Sequence, residues 1–325
     1  MHHLLTADVG GTKTLLRISR AGEPHIPVLQ KNYPSAAYPD LATMLDEFLR
    51  AADVRGISAA CLALAGPVNG RQVRLTNLSW EVDADALATR FAIPRVELIN
   101  DFAAVGYGIA GLRPDDLLTL QTGVTQAGGT RLVVGAGTGL GVAWLSYQND
   151  AYTVHPAEAG HMDFAPVDDT QIDLLRYLRE RHGHVSCERI VSGPGLVAIF
   201  EFLRDSARAQ PKAQLLQAMN NGDAAAVIAE HAMQGGDACA RQALELFITL
   251  YGAFVGNLAL MTLPRGGIYI AGGIAAKIAR EMQQGSFLRA FCAKGRFAAV
   301  LENLPLFIVN YPEVGLLGAG LYLEA

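Results

Sequence analysis

Short apolar runs alternate along the chain with segments whose apolar residues recur at helical spacing, which predicts an α/β protein. The first run, Leu4-Leu5-Thr6-Ala7-Asp8-Val9, stops at Gly10-Gly11-Thr12-Lys13, and a second apolar run, Thr14-Leu15-Leu16-Arg17-Ile18, follows at once. Strand, glycine turn, strand is a hairpin. After Pro39-Asp40 the residues Leu41, Met44, Leu45, Phe48 and Leu49 mark one face of a helix, and Ile57 to Leu64 then reads as a buried strand ended by Gly66-Pro67. A helix from about Asp83 to Phe91 leads into the strand Val96-Glu97-Leu98-Ile99, with Asn100-Asp101 at its C-terminal end and a helical stretch from Phe102. The pattern of the first hairpin returns at Leu132-Val133-Val134-Gly135-Ala136, then Gly137-Thr138-Gly139, then an apolar run from Leu140 to Leu145.

The second half is more helical. Ser192-Gly193-Pro194 has the form of a helix start, with Leu196, Val197, Phe200 and Leu203 on one face, and helices are predicted over Asp223 to His231 and Asp237 to Thr262. The stretch Leu246 to Pro264 carries no charge and approaches bilayer-spanning length. Thr249, Gly252, Gly256, Asn257 and Thr262 interrupt it, so it reads as a core helix, with Gly252 and Gly256 marking close packing of another element. The strand Gly267-Ile268-Tyr269-Ile270 runs into Ala271-Gly272-Gly273-Ile274 and a helix; those glycines fit a flat ligand against the backbone or a simple tight turn. Leu306 to Val309, with a glycine-containing helix from Gly315, is expected to return and complete the first domain. Trp80, after the polar stretch Thr76-Asn77-Leu78-Ser79, either lies near a ligand cleft or packs in the small-domain core.

Composition narrows the class. A chain of 325 residues with 51% hydrophobic residues and 34 glycines suits about two compact domains. A formal net charge of −5 and no basic stripe argue against a nucleic-acid partner. The scattered cysteines Cys61, Cys187, Cys239 and Cys292 have no C-x-x-C spacing, which points to neither a zinc knuckle nor a disulfide framework and suggests a reducing cytosol. Met1-His2-His3-Leu4-Leu5 has none of the marks of a secretory leader, and no membrane role is expected.

The chemistry sits in the glycine turns and a few acids. Glycines let backbone N–H groups approach an anion, and a threonine hydroxyl adds a donor, so two such turns suit a polyphosphate held between two domains. Neither turn is a Walker loop, because Thr12 separates Gly11 from Lys13. The Rossmann fingerprint fails as well: Leu140 stands where glycine is required, and a strand follows where a helix should begin. Asp101 stands at a strand's C-terminal end, where open α/β sheets bind ligands, and also suits a helix N-cap. Glu158-x-x-His161 resembles a di-metal ligand pair, but Pro156 and Gly160 disfavour a helix there, and a hydrogen-bonded loop is the alternative.

The motifs together are similar to those of the non-ROK bacterial glucokinases, within the hexokinase, Hsp70 and actin-like ATPase superfamily. Those carrying the resemblance are Asp8-Val9-Gly10-Gly11-Thr12, Leu98-Ile99-Asn100-Asp101-Phe102, Gly135-Ala136-Gly137-Thr138-Gly139-Leu140-Gly141, Glu158-Ala159-Gly160-His161-Met162-Asp163-Phe164-Ala165-Pro166, Glu188-Arg189-Ile190-Val191-Ser192-Gly193-Pro194-Gly195, Ile270-Ala271-Gly272-Gly273-Ile274 and Gly315-Leu316-Leu317-Gly318. The resemblance implies a two-domain actin-like ATPase (ribonuclease H-like) architecture with an interdomain active site. Residues 1–111 and 303–325 would form a small α/β domain and residues 112–302 a larger one. It implies ATP and Mg²⁺, with glucose as acceptor, Asp101 as catalytic base, and Asn100, Asp101, Glu158, His161 and Glu188 binding the sugar. Asp8, Gly10, Gly11, Thr12, Lys13, Gly137, Thr138 and Gly139 would face the phosphates and metal, and Gly272 and Gly273 the adenosine. A cytosolic homodimer is implied as well.

This chain departs from the family's usual pattern in carrying Lys13 where many relatives have Asn, and Ala157 and Ala159 where they often have glycine. It lacks the cysteine-rich zinc motif of ROK kinases, and no helix-turn-helix of a repressor precedes the first strand. The expected activity is glucose phosphorylation at C6. The alternatives are a kinase for fructose, mannose or an amino sugar, and a catalytically silent sugar sensor or nucleotide switch.

Overall fold

A computed structural model describes residues 2–52, 54, 56–75 and 78–325. The chain forms two compact units, one comprising Met1–Asp116, Val154–Pro156 and Tyr311–Ala325, the other Leu117–Thr153 and Ala157–Asn310.

The first unit is built on strands β1 (His3–Val9), β2 (Lys13–Arg20), β3 (Glu23–Pro34), β4 (Ile57–Leu64) and β7 (Arg95–Asn100), with a small hairpin of β5 (Gln72–Arg74) and β6 (Glu81–Asp83). Its five-stranded sheet runs β3-β2-β1-β4-β7. The glycine turn makes β1 and β2 antiparallel, whereas β1, β4 and β7 are parallel neighbours. Helices cover the sheet. Leu41–Ala51 starts on Asp40, whose carboxylate accepts from the Thr43 amide, and buries Leu41, Met44, Leu45 and Phe48 as its 3.6-residue period requires. The C-terminal helix Val314–Glu324 is buried along most of its length, and its glycines are there for approach. A Cβ at Gly318 would lie 1.7 Å from the Ala104 carbonyl oxygen, and one at Gly108 2.2 Å from that of Val314. Only bare backbone lets this helix and Asp101–Gly108 cross so closely.

Trp80 is a core residue, 3% exposed, packed with Phe48, Val82 and Leu87, and its indole N–H donates to the Tyr38 carbonyl oxygen at 3.2 Å. The apolar ring outweighed the polar neighbours in sequence, of which Thr76 and Asn77 lie outside the described residues.

Strands β8 (Leu117–Gln121), β9 (Arg131–Ala136), β10 (Leu140–Gln148), β11 (Ala151–Ala157), β12 (Gly267–Ala271) and β13 (Leu306–Val309) form a six-stranded sheet ordered β11-β10-β9-β12-β13-β8, which belongs to the second unit except for Val154–Pro156 of β11. One boundary expected from the sequence is corrected here. Leu306 to Val309 does not return to the first sheet: β13 lies between β12 and β8, with Leu306 and Ile308 fully buried in the second core. Its apolar face completes that core, so the chain returns to the first unit at Tyr311, not at residue 303.

The long apolar helix spans Ala238–Thr262, starting on Asp237, and is the centre of this core. It is long and apolar enough to cross a membrane, and here it packs on the helix Ser286–Cys292. Added Cβ atoms at Gly252 and Gly256 would lie 2.2 and 2.4 Å from the carbonyl oxygens of Phe287 and Phe291, which is the close approach their spacing predicts.

Candidate active site

In the first unit, three parallel strands end level: Val9 pairs with Leu64, and Leu64 with Asn100. The Gly10 turn, the Gly66 loop and Asn100-Asp101 therefore emerge together from the C-terminal edge of the sheet, where open α/β sheets bind ligands. Asn100, not Asp101, is the N-cap of the helix Asp101–Gly108. Its Oδ1 accepts from the Ala103 amide at 3.0 Å, and its Nδ2 donates to the Gly66 carbonyl oxygen at 3.0 Å. Asn100 thus fixes the strand end, and Asp101 becomes the first helical residue, partly buried, with Oδ1 accepting from the Phe102 amide at 2.9 Å. A carboxylate at a helix N-terminus is favoured by the helix dipole.

Asp8 is half-buried on β1 beside the start of the C-terminal helix; a Cβ at Gly315 would lie 3.4 Å from its Oδ2. Burial raises the pKa of this carboxyl above its ordinary value. The following turn is closed by the Gly10 amide donating to the Lys13 carbonyl oxygen at 2.9 Å. Thr12 and Lys13 are exposed. Beneath the turn lies Ser35, fully buried, a residue that no sequence signal singled out. Its hydroxyl donates to the Gly10 carbonyl oxygen at 2.8 Å and accepts from buried Thr14 at 3.0 Å, while its amide donates to the Thr12 carbonyl oxygen.

In the second unit, β9 and β10 form the second hairpin, and β12 runs parallel to β9 with Ala271 opposite Gly135. Gly272 then sits against the hairpin's base. Its φ of +87° favours glycine, and an added Cβ would lie 2.6 Å from the Ala136 carbonyl oxygen. Gly273 and Gly137 face open space: a Cβ at either meets nothing within 4 Å. The Gly137 amide donates to Gly139 and its carbonyl accepts from the Gly193 amide, both at 2.8 Å.

The sugar-reading candidates Glu158, His161 and Glu188 lie on two short turns tied to each other. Cys187 N–H donates to the Met162 carbonyl oxygen at 2.8 Å, Phe164 N–H to that of Val185 at 3.0 Å, and His184 pairs with Asp163 at 2.6 Å. Burial pushes the Cys187 thiol up to about 12, so it stays a neutral thiol, donating to the Asp163 carbonyl oxygen at 3.5 Å. Glu158 precedes the turn Ala159–His161, and both Glu158 and His161 are exposed. The geometry is a turn, not a helix, so Glu158 and His161 do not present an i, i+3 ligand pair on a helical face. Glu188 is half-buried, with Oε2 accepting from the Leu140 amide at 2.9 Å. Among the described residues, no group of three or more His, Cys, Asp or Glu side chains is placed to hold a metal.

A sequence profile of the glucokinase family matches residues 5–325. The chain belongs to the glucokinase family. A glucokinase of the cyanobacterium Trichormus variabilis is 45% identical over 335 residues, covering 98% of each chain. Among solved structures, a glucokinase from an Antarctic psychrotroph matches with a TM-score of 0.84 at 29% identity, covering 99% of this chain and 98% of its own. One from Balamuthia mandrillaris, in complex with glucose, matches at 0.83 and 25% identity, covering 99% and 93%. The fold of this glucokinase-family chain is that of the actin-like ATPases. Within it, the first unit carries Asp8, the Gly10 turn, Asn100 and Asp101, and the second carries Gly137 to Gly139, Glu158, His161, Glu188, Gly272 and Gly273.

Proposed function

We propose that the protein transfers the γ-phosphoryl group of ATP to the C6 hydroxyl of glucose, giving glucose 6-phosphate and ADP. The observation that carries this reading is Asp101 at the level ends of β1, β4 and β7, in a chain of the glucokinase family. Asp101 accepts the C6 hydroxyl proton as that oxygen attacks the γ-phosphorus. Asn100, Glu158, His161 and Glu188 read the remaining hydroxyls, since carboxylates accept and amide and imidazole groups do either. The amides of the turns at Gly10 to Lys13 and Gly137 to Gly139, with the exposed hydroxyls of Thr12 and Thr138, suit the phosphates. The open faces of Gly137 and Gly273 leave space for a phosphate and for the adenosine.

Mg²⁺ fits this arrangement. The Asp8 carboxyl is half-buried, and burial is the cause of its raised pKa, so a nearby cation would relieve the cost of its charge. Asp8 would hold the ion through water, with the phosphates supplying the other oxygens. When bound, the ion neutralises charge on the transferring phosphoryl group. The same reading includes a cytosolic homodimer, which rests on the resemblance and which sedimentation analysis tests.

Coupled detection of ADP release across a sugar panel tests the activity. Glucose is expected to give the highest kcat/KM. A higher value for fructose, mannose or an amino sugar would reassign the acceptor, and no ADP release with any sugar would indicate a sensor.

A further inference from the structure

The reading above gives phosphate binding to the Gly137 turn and sugar reading to two other segments, and the structure joins all three at one residue. Leu140, the first residue of β10 after the turn, donates its amide to Glu188 Oε2 at 2.9 Å. Its carbonyl oxygen is crowded from the other sugar-reading turn: a Cβ at Gly160 would lie 2.1 Å from it. The turn itself leans on the same carboxylate, since a Cβ at Gly139 would lie 2.7 Å from Glu188 Oε2. The segment after Glu188 grips the other end of the turn, with the Gly193 amide on the Gly137 carbonyl oxygen and Ser192 Oγ donating to the Glu188 carbonyl oxygen at 2.7 Å. The bonds of Cys187 to Met162 and Phe164 to Val185 close the ring. Backbone hydrogen bonds tie the Glu188 segment to both the Gly137 turn and the Glu158 to Phe164 segment, and Gly160 packs closely on Leu140.

Resting on the assignment of Glu188 to the sugar, we infer that the Leu140 amide is a positioning group that couples sugar recognition to phosphate binding through the Glu188 carboxylate. A carboxylate has two acceptor oxygens, so Oε2 holds the hairpin while Oε1 reads a hydroxyl. A sugar that draws on Glu188 re-aims the amides of the Gly137 turn, and a phosphate on that turn re-aims Glu188. Linkage makes the effect reciprocal. It also gives a residue assigned to the sugar a role in nucleotide binding when no sugar is present.

Calorimetry on the full chain tests this with two probes: AMPPNP without sugar, and glucose without nucleotide. Glu188→Gln is expected to weaken sugar-free AMPPNP binding by about fivefold or more, because a charge-assisted acceptor on the Leu140 amide becomes neutral. Glu158→Gln, on the exposed turn, is expected to weaken glucose binding alone. Gly139→Ala is expected to weaken nucleotide-free glucose binding by about tenfold, as the methyl displaces Oε2, whereas Gly137→Ala, whose methyl meets no protein atom, leaves it within about twofold. The inference is overturned by a Glu188→Gln protein that loses glucose affinity and keeps wild-type AMPPNP affinity, by equal AMPPNP losses in Glu188→Gln and Glu158→Gln, or by a folded Gly139→Ala protein with wild-type glucose affinity. If Gly139→Ala fails to fold, the two glutamate variants decide. A wild-type chain that binds no glucose would defeat the assigned function instead, a result distinct from all of these.

Discussion

The two glycine hairpins look alike in sequence and are braced by different chemistry. The Gly10 turn rests on a neutral, buried hydroxyl pair, Ser35 and Thr14, and lies after Asp8 and level with the strand end that leads to Asp101. The Gly137 turn rests on a carboxylate, Glu188, and on the backbone of Gly193. Serine is a fixed structural partner, with its donor and acceptor both used inside the fold. Glutamate keeps acceptor capacity for a ligand. The first hairpin is therefore braced by groups whose hydrogen bonds are used inside the fold, and the second by a carboxylate that, on the proposed function, also reads the sugar. Two strand-turn-strand motifs of like sequence thus differ in what lies beneath them.

The sharpest break in this comparison is Asp101→Asn. The amide oxygen can still accept from the Phe102 amide, so the helix start survives, but the proton acceptor is lost. Turnover is expected to fall by about 10² to 10⁴-fold, with glucose binding retained in weakened form, measured by steady-state kinetics and calorimetry. Near-normal turnover would remove Asp101 as the base.

Gly137→Val probes the second platform directly. No protein atom lies within 4 Å of the added Cβ, so the fold should tolerate it, while the side chain fills space that a phosphate would use. Nucleotide affinity is expected to drop by about tenfold or more, through loss of close backbone approach. Unchanged nucleotide affinity with a selective loss of glucose binding would invert the assignment of this turn.

Ser35→Ala does the corresponding damage to the first platform. It strips the Gly10 carbonyl and the Thr14 hydroxyl of a buried partner, at a cost of about 1–3 kcal/mol in denaturant unfolding. Nucleotide affinity should fall with it, and binding of glucose alone should fall less than in Glu188→Gln, since the bonds Ser35 makes are to Gly10, Thr12 and Thr14. A loss of glucose affinity equal to that of Glu188→Gln would erase the distinction between the hairpins.

The smallest effect concerns Asp8 and pH. Its carboxyl is raised in the fold, so the native state binds a proton more readily than the unfolded chain. Stability contributed by this group is therefore present at low pH and falls as pH climbs from the ordinary carboxylate range through the raised value. Asp8→Asn should flatten that decline and raise Tm at neutral pH while impairing turnover. Equal slopes of Tm against pH in the two proteins would show that burial does not burden this carboxylate.

Much of this was legible in the chain because it is local. Alternating and helical spacings predicted both hairpins, helices starting at or beside Asp40, Asp223 and Asp237, and the buried character of Ala238–Thr262, since a few neighbouring residues suffice to set each. The motif order likewise identified the family and its candidate residues. Only the tertiary structure decided matters that depend on partners distant in sequence. Leu306–Val309 could serve either sheet, and the vacancy between β12 and β8 chose the second. Asn100 outcompeted Asp101 as the cap because the Gly66 carbonyl, 34 residues away, holds its amide. Ser35 reads as an ordinary turn serine until β3 brings it under Gly10, and Glu188 reads as one more sugar ligand until Leu140 donates to it from 48 residues away. Hydrogen bonds are short-ranged and directional, so such pairings exist only once the fold has brought donor and acceptor together.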